Sequence, residues 1–161
     1  MKEITIPRKK PFPSNDLPVR FYPAAFIPAE GPFSGKVASA EEVEEHFSNN
    51  GWVDFWVDGV YSFHHFHAEA HEVLACLSGS ATLCLGGPEG VEVEVEAGDV
   101  VLLPAGVGHQ NVTSSSDFKM GGAYPKGQSP DLRRGDDQEW AEVIERVAET
   151  PRWEKDPVNG D

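Results

Sequence analysis

Apolar positions along this chain repeat in two ways, and the switch between them divides it. From residue 52 to residue 124 the repeat is that of strands. Trp52-Val53-Asp54-Phe55-Trp56-Val57 and Val60-Tyr61-Ser62-Phe63 are rich in aromatic and β-branched residues and flank the turn pair Asp58-Gly59, which predicts a hairpin. Glu72 to Leu77 and Ala81 to Leu85 predict a second hairpin around Ser78-Gly79-Ser80. Val91 to Glu96 alternates strictly, valines to one side and glutamates to the other, as a half-buried strand does. After the turn Ala97-Gly98-Asp99, Val100 to Leu103 is apolar throughout and predicts a strand covered on both faces. Val112-Thr113 and Phe118 to Tyr124 supply the last strands.

Helical periods flank this block. Ser39-Ala40-Glu41-Glu42 has the form of a capping box, opening a helix over 39–50 that stops at Asn49-Asn50-Gly51. Trp140, Val143, Ile144 and Val147 fall at i, i+3, i+4 and i+7, predicting a helix over 137–149 with one apolar stripe. Asp136-Asp137 suits its start and Pro151 its end. The first 36 residues hold seven of the thirteen prolines, at positions 7, 11, 13, 18, 23, 28 and 32, so they predict an extended arm with a short strand at Val19 to Tyr22. The expected organisation is a single domain: arm 1–36, helix 39–50, β core 52–126 and helical tail 127–161. Many short strands with frequent glycine turns predict an all-β fold, a small antiparallel barrel or jelly roll.

Charge narrows the partners. With 13 Lys+Arg against 27 Asp+Glu the formal charge is -14, which argues against nucleic acid and anionic membranes. The N-terminus has no apolar run like a signal peptide and no stretch reaches transmembrane length, so the expected location is cytoplasmic. Cys76 and Cys84 read as small core residues; in the predicted second hairpin Cys76 faces Ala81 or Thr82, which disfavours a disulfide between them.

The chemistry concentrates in FHHFHAEAHEVLACLSG, residues 63 to 79, which holds four of the six histidines. Side chains alternate across a strand, so Tyr61, Phe63, His65 and His67 share one face, and His64 and Phe66 the other. Two imidazoles then point into one space, and a short loop returns the chain so that Glu72 points inward. A carboxylate with two or three imidazoles is a ligand set for iron, manganese, nickel, copper, cobalt or zinc. His109 follows Gly98-Asp-Val-Val-Leu-Leu-Pro104-Ala-Gly106, whose Pro and Gly shape a turn able to deliver a third imidazole.

Other residues have plainer readings. His71 should face away from Glu72 as a surface group or an outer hydrogen-bond partner, unless a bulge swaps it inward. His64 reads as packing or interface, and His46 as a solvated helix residue. Tyr61 and Phe63 are candidates for a pocket wall, as well as for ordinary core. Trp52, Trp56 and Tyr124 read as core, and the glutamates of 91–96 as a solvated face.

Gly59-x5-His65-x-His67-x4-Glu72-x6-Gly79 resembles the first cupin motif at every fixed position, and Gly98-x5-Pro104-x-Gly106-x2-His109 resembles the second. The final asparagine of that second motif is Thr113 here, with Asn111 nearby but at a different spacing. The stretches NGW at 50–52, AHEVL at 70–74, PAGVGHQN at 104–111 and GAYPKGQ at 122–128 are similar to the bacterial single-domain cupins of the YjlB type. The resemblance implies a cupin jelly-roll β-barrel of six to eight strands, of the RmlC-like kind. It implies one divalent transition metal (Fe, Mn, Ni or Zn) held by His65, His67, Glu72 and His109, with Tyr61, Phe63, His71 and Asn111 in the pocket or behind the ligands. It also implies a homodimer, with the proline-rich arm as a swapped or clasping element.

Two functions fit. One is a metalloenzyme of the dioxygenase, isomerase or decarboxylase type acting on a small molecule, with Tyr61 as candidate proton donor or orienting group. The other is a module that captures a small ligand without turnover. Neither motif contains Arg or Lys to grip a phosphorylated sugar, although Lys119 and Arg133-Arg134 are near enough in sequence to fold over the mouth.

Overall fold

The structure, a computed structural model, describes residues 1–27, 35–135 and 139–161. Nine strands form two antiparallel sheets: β1 (Lys2–Ile4), β2 (Val19–Tyr22), β3 (Trp52–Asp58), β4 (Glu72–Ser78), β5 (Ser80–Leu85), β6 (Val91–Glu96), β7 (Val100–Leu103), β8 (His109–Ser114) and β9 (Lys119–Pro125). Two helices, α1 (Ala40–Asn49) and α2 (Trp140–Glu149), complete the described elements. One sheet has the order β1-β2-β7-β4-β9-β3 and the other β6-β5-β8. The result is the expected all-β jelly roll, built from two antiparallel sheets.

Alternation along β4 and β7 explains their unbroken apolar runs. Leu74, Cys76, Val101 and Leu103 face the three-stranded sheet and pack with Leu83, Leu85 and Val95. Val73, Ala75, Val100 and Leu102 face the other way, onto Val43 and Phe47 of α1 and Trp153 of the C-terminal segment. Each Val, Leu or Phe among these, fully withdrawn from water, contributes about 1.5–3 kcal/mol.

The capping box forms as expected: Ser39 Oγ accepts from Glu42 N–H at 3.2 Å and Glu42 Oε1 from Ser39 N–H at 3.0 Å. His46, read as solvated, is half-buried instead, its Nε2 2.8 Å from the Val158 carbonyl and its ring against Phe26. The stripe of α2 docks Val143 and Val147 onto Phe12, Phe66, Ala68 and Ala105. Asp136-Asp137, at the expected start of that helix, lies outside the described residues, as do Pro28 and Pro32 of the arm.

The described part of the arm packs on its own chain. β1 pairs with β2 and β2 with β7, and Phe12 is buried in the core beside α2.

Two expected hairpins are absent. β4 pairs with β7 and β9 on its two edges, while β5 pairs with β6 and β8 in the facing sheet. The turn at Gly79 therefore carries the chain from one sheet to the other. Cys76 and Cys84, in different sheets, are both buried and free. Val60 to Phe63 forms no strand, for the reason given below.

Asp156 anchors the C-terminal segment. It is 1% exposed and accepts hydrogen bonds from Arg20 (2.8 Å), the Tyr22 hydroxyl, and the N–H groups of Val158 and Asn159 (both 2.8 Å). Burial alone would raise its carboxyl pKa, but these bonds, from Asn159 first, outweigh that and hold it below the ordinary value. A depressed carboxyl stabilises the fold above the unfolded pKa of about 3.9, and that stabilisation fades as pH falls through the folded value. Asp156→Asn should therefore cost on the order of 3–5 kcal/mol near neutral pH, because it strands the Arg20 charge. The gap between the melting curves of the two proteins should begin to narrow below about pH 4 and close once pH falls below the folded value. A gap independent of pH would contradict this account.

Candidate metal centre

After β3 the chain crosses from the six-stranded sheet towards the three-stranded one. Instead of folding back as a second hairpin strand, residues 60–67 lie beside β8. Asn111 N–H donates to the Tyr61 carbonyl at 2.9 Å, and His65 and His109 exchange both backbone bonds, at 3.2 and 2.8 Å. Two residues so paired place their side chains on the same side. Their ring centroids are 4.1 Å apart. His67, two residues on, keeps the same side, and its carbonyl accepts from Gly106 N–H at 2.8 Å. Glu72 opens β4 opposite Leu103, with the inward parity of Leu74.

These four side chains converge. The ligand atoms of His65, His67 and His109 lie within 4.8 Å of one another. Glu72 Oε1 is 3.3 Å from His109 Nε2 and 3.6 Å from His67 Nε2. Donors about 2.1 Å from a common ion lie at most about 4.2 Å apart, so the three imidazoles are near the spacing a shared ion requires.

The hydrogen bonds behind the rings fix their tautomers. His65 Nδ1 lies 3.0 Å from the Phe63 carbonyl, His109 Nδ1 3.1 Å from that of Val107, and His67 Nδ1 against that of Asp131. A carbonyl can only accept, so each Nδ1 carries a proton and each Nε2 is the atom turned inward, offering a lone pair whenever its ring is neutral. Three inward Nε2 atoms and a carboxylate thus lie together among largely buried groups, an arrangement that could hold a cation. An N3O donor set of this kind suits a borderline divalent transition metal.

The electrostatics agree. Burial first, and His109 second, push the His65 imidazole down to about 3. Burial opposes charge on His67 too, but the Glu72 carboxylate outweighs it and raises that imidazole. Burial would raise Glu72, yet its hydrogen bonds with His109 and His67 hold it well below the usual carboxylate range. Glu72 is thus a buried anion held by its histidine neighbours, a role a bound cation could also fill.

The cluster forms the floor of a cavity of about 500 Å³. Tyr61 lines its mouth, 55% exposed, and stacks on Phe63 at 4.7 Å. Phe63 does not line the cavity; it lies behind Tyr61 with the Arg134 guanidinium 3.9 Å over its ring. Trp56 and Tyr124, expected in the core, are walls of the cavity, and Trp56 Nε1–H donates to the Tyr124 hydroxyl at 2.8 Å. Asp54, at φ +59°, explains Trp56. The register slips between Val53 and Trp56, so Trp52 and Phe55 face α1 while Trp56 turns inward. Pro130, Asp131 and Leu132 complete the lining, and no periodicity in the tail announces them.

His71 points away from this cavity but is neither on the surface nor exchanged with Glu72. It is buried; its Nδ1 accepts from Ala105 N–H at 2.8 Å, so Nε2–H donates to the Pro151 carbonyl at 3.1 Å. Burial pushes its pKa down to about 4. This neutral imidazole ties the turn before His109 to the C-terminal segment. His71→Ala should lower stability by about 1–3 kcal/mol, since it leaves the buried Ala105 N–H unpaired, while the Pro151 carbonyl keeps its bond from Gln128. Metal stoichiometry at saturation should be unchanged, and its loss would make His71 a ligand.

His64 packs edge-on against Phe12, with Nδ1 buried and unpaired. Asn111 is half-buried outside the cavity lining, its Nδ2 on Ser114 Oγ at 3.1 Å. Arg133 is held by Asp131 (2.7 Å) and Glu142 (3.4 Å), and neither it, Arg134 nor Lys119 lines the cavity.

Residues 51–120 match the family model described as Cupin domain. The Uncharacterized protein YjlB of Bacillus subtilis (strain 168) is 36% identical over 117 residues, 73% of this chain and 71% of that one. Among solved structures, acireductone dioxygenase from Bacillus anthracis, with cadmium ion in its active center, aligns with TM-score 0.44 at 18% identity, over 70% of this chain and 82% of that one. The polyketide cyclase RemF from Streptomyces resistomycificus aligns with TM-score 0.40 at 22% identity, over 58% and 70%. With both motifs in place, two jelly-roll sheets around a histidine cluster, and a relative aligned over most of its length, the chain belongs to the cupin superfamily.

Proposed function

We propose that this protein holds one divalent transition metal (Fe, Mn, Ni or Zn) through His65, His67, Glu72 and His109, and that it is a small-molecule metalloenzyme of the dioxygenase, isomerase or decarboxylase type. The observation that carries the reading is the holding of all three Nδ1 atoms by backbone carbonyls, which turns three Nε2 atoms into one space, with Glu72 beside those of His67 and His109. A bound ion would supply Lewis acidity, an acidified water or a redox centre.

The chain's own residues do the rest. Trp56, Val60 and Leu74 keep water from the cavity floor. Tyr124, whose oxygen already accepts from Trp56, is left with its own proton to direct towards the nearby Glu72 carboxylate and so orient that group. Tyr61, at the mouth, is placed to hand a proton to a ligand or to orient it.

The test is to load metal-free protein with each of the four ions and titrate small phenols, acids and sugars. Spectral change at a loaded site followed by product, slowed in Tyr61→Phe, supports the enzyme. A spectral change with no product for any ion leaves a ligand-capture module.

A further inference from the structure

We infer that the cavity above the candidate metal centre takes an uncharged molecule with a flat apolar body and one oxygen donor directed at the floor, and discriminates against phosphorylated ligands. The inference rests on the metal reading above and deepens it by naming the ligand class.

The walls and the rim supply the first observation. Trp56, Val60, Leu74 and Tyr124 line the cavity, and Val57, Tyr61 and Leu132 surround its mouth, 45%, 55% and 52% exposed. Large apolar side chains left this open beside a polar floor are the arrangement of a ligand site that buries an apolar body.

Charge supplies the second. Among the described residues lining the cavity there is no Lys or Arg, and residues 28–34 and 136–138 contain none either. Arg133 is paired with Asp131 and Glu142, and Arg134 lies on Phe63. The charged side chains that do line the cavity outside the histidines are Glu72, Asp58 and Asp131, all acidic. Phosphate recognition draws on cationic forks, and these described walls carry none.

The floor sets the head group. A divalent ion offset by the Glu72 carboxylate would leave about one positive charge, which suits a single phenolic or enolic oxygen donor and falls short of a phosphate dianion. A cavity of about 500 Å³ is ample for a two-ring body.

The experiment uses two probes sharing one body, 2-naphthol and 2-naphthyl phosphate, titrated calorimetrically into zinc-loaded protein whose zinc content is measured first. The expected result is 2-naphthol binding at least about tenfold more tightly than the phosphate. Leu132→Asp should weaken 2-naphthol about tenfold, the loss of one apolar wall contact, with zinc content unchanged. With zinc retained, equal or tighter binding of the phosphate, no binding of 2-naphthol, or indifference to Leu132→Asp overturns this inference alone. Failure to retain zinc overturns the metal reading and this inference with it.

Discussion

A His109→Ala variant should bind Zn2+ more than about 100-fold more weakly than the parent chain. Losing an outer partner of a metal ligand typically costs about 10–100-fold, and His109 is placed to be a ligand itself. It sits opposite His65 in a two-bond backbone pair and 3.3 Å from Glu72, so its removal takes a lone pair from the cluster and a neighbour from the buried carboxylate. His64→Ala is the matched control, because that ring points away onto Phe12. A competition titration against a chromophoric chelator reads both variants. Equal affinities for His109→Ala and the parent would remove His109 from the ligand set.

The second large effect is expected away from the ligands. Gly106 holds φ at +89°, and a Cβ there would stand 2.4 Å from the Ser14 carbonyl oxygen and 3.0 Å from Val147 Cγ2. The first of these is backbone and cannot rotate aside. Gly106 N–H also donates to the His67 carbonyl, and its own carbonyl accepts from Ser14 N–H at 3.0 Å. One residue thus links the arm, the turn before His109 and the backbone of His67. Gly106→Ala should cost about 3 kcal/mol or more in chemical denaturation, combining left-handed strain with the displacement of that turn. It should also weaken metal binding, since His67 and His109 are positioned through it. Gly127→Ala separates the two causes: φ there is +90° with nothing within 4 Å of the added carbon, so strain alone applies, about 1–2 kcal/mol. Equal losses in the two variants would show that the Ser14 contact is unimportant.

Much of this was legible in the chain, and the failures have a common cause. The parity of His65 and His67, the double burial of Val100 to Leu103 and the capping box at Ser39 are local consequences of residue order, and each is present. Asp58-Gly59 and Gly79 were read as hairpin turns because turn residues mark a reversal but not which sheet receives the next strand. β4 already has β7 and β9 on its two edges, which leaves β5 no place beside it. Alternation also fails wherever a bulge intervenes. With Asp54 in the left-handed region, Trp56 leaves the face of Trp52 and becomes a cavity wall. Asp131 was invisible for another reason: its contribution to His67 comes from a backbone carbonyl 64 residues away, which no side-chain pattern records.

The central claim is that His65, His67, Glu72 and His109 hold a metal ion, and metal content tests it most directly. The measurement is mass spectrometry on untagged protein purified without chelator, beside a His65→Ala/His109→Ala double variant. The account predicts about one equivalent of iron, manganese, nickel or zinc per chain in the parent and none in the variant. No metal in either protein, even after reconstitution with each ion, would contradict it and leave a cavity that selects its ligand by shape and charge alone.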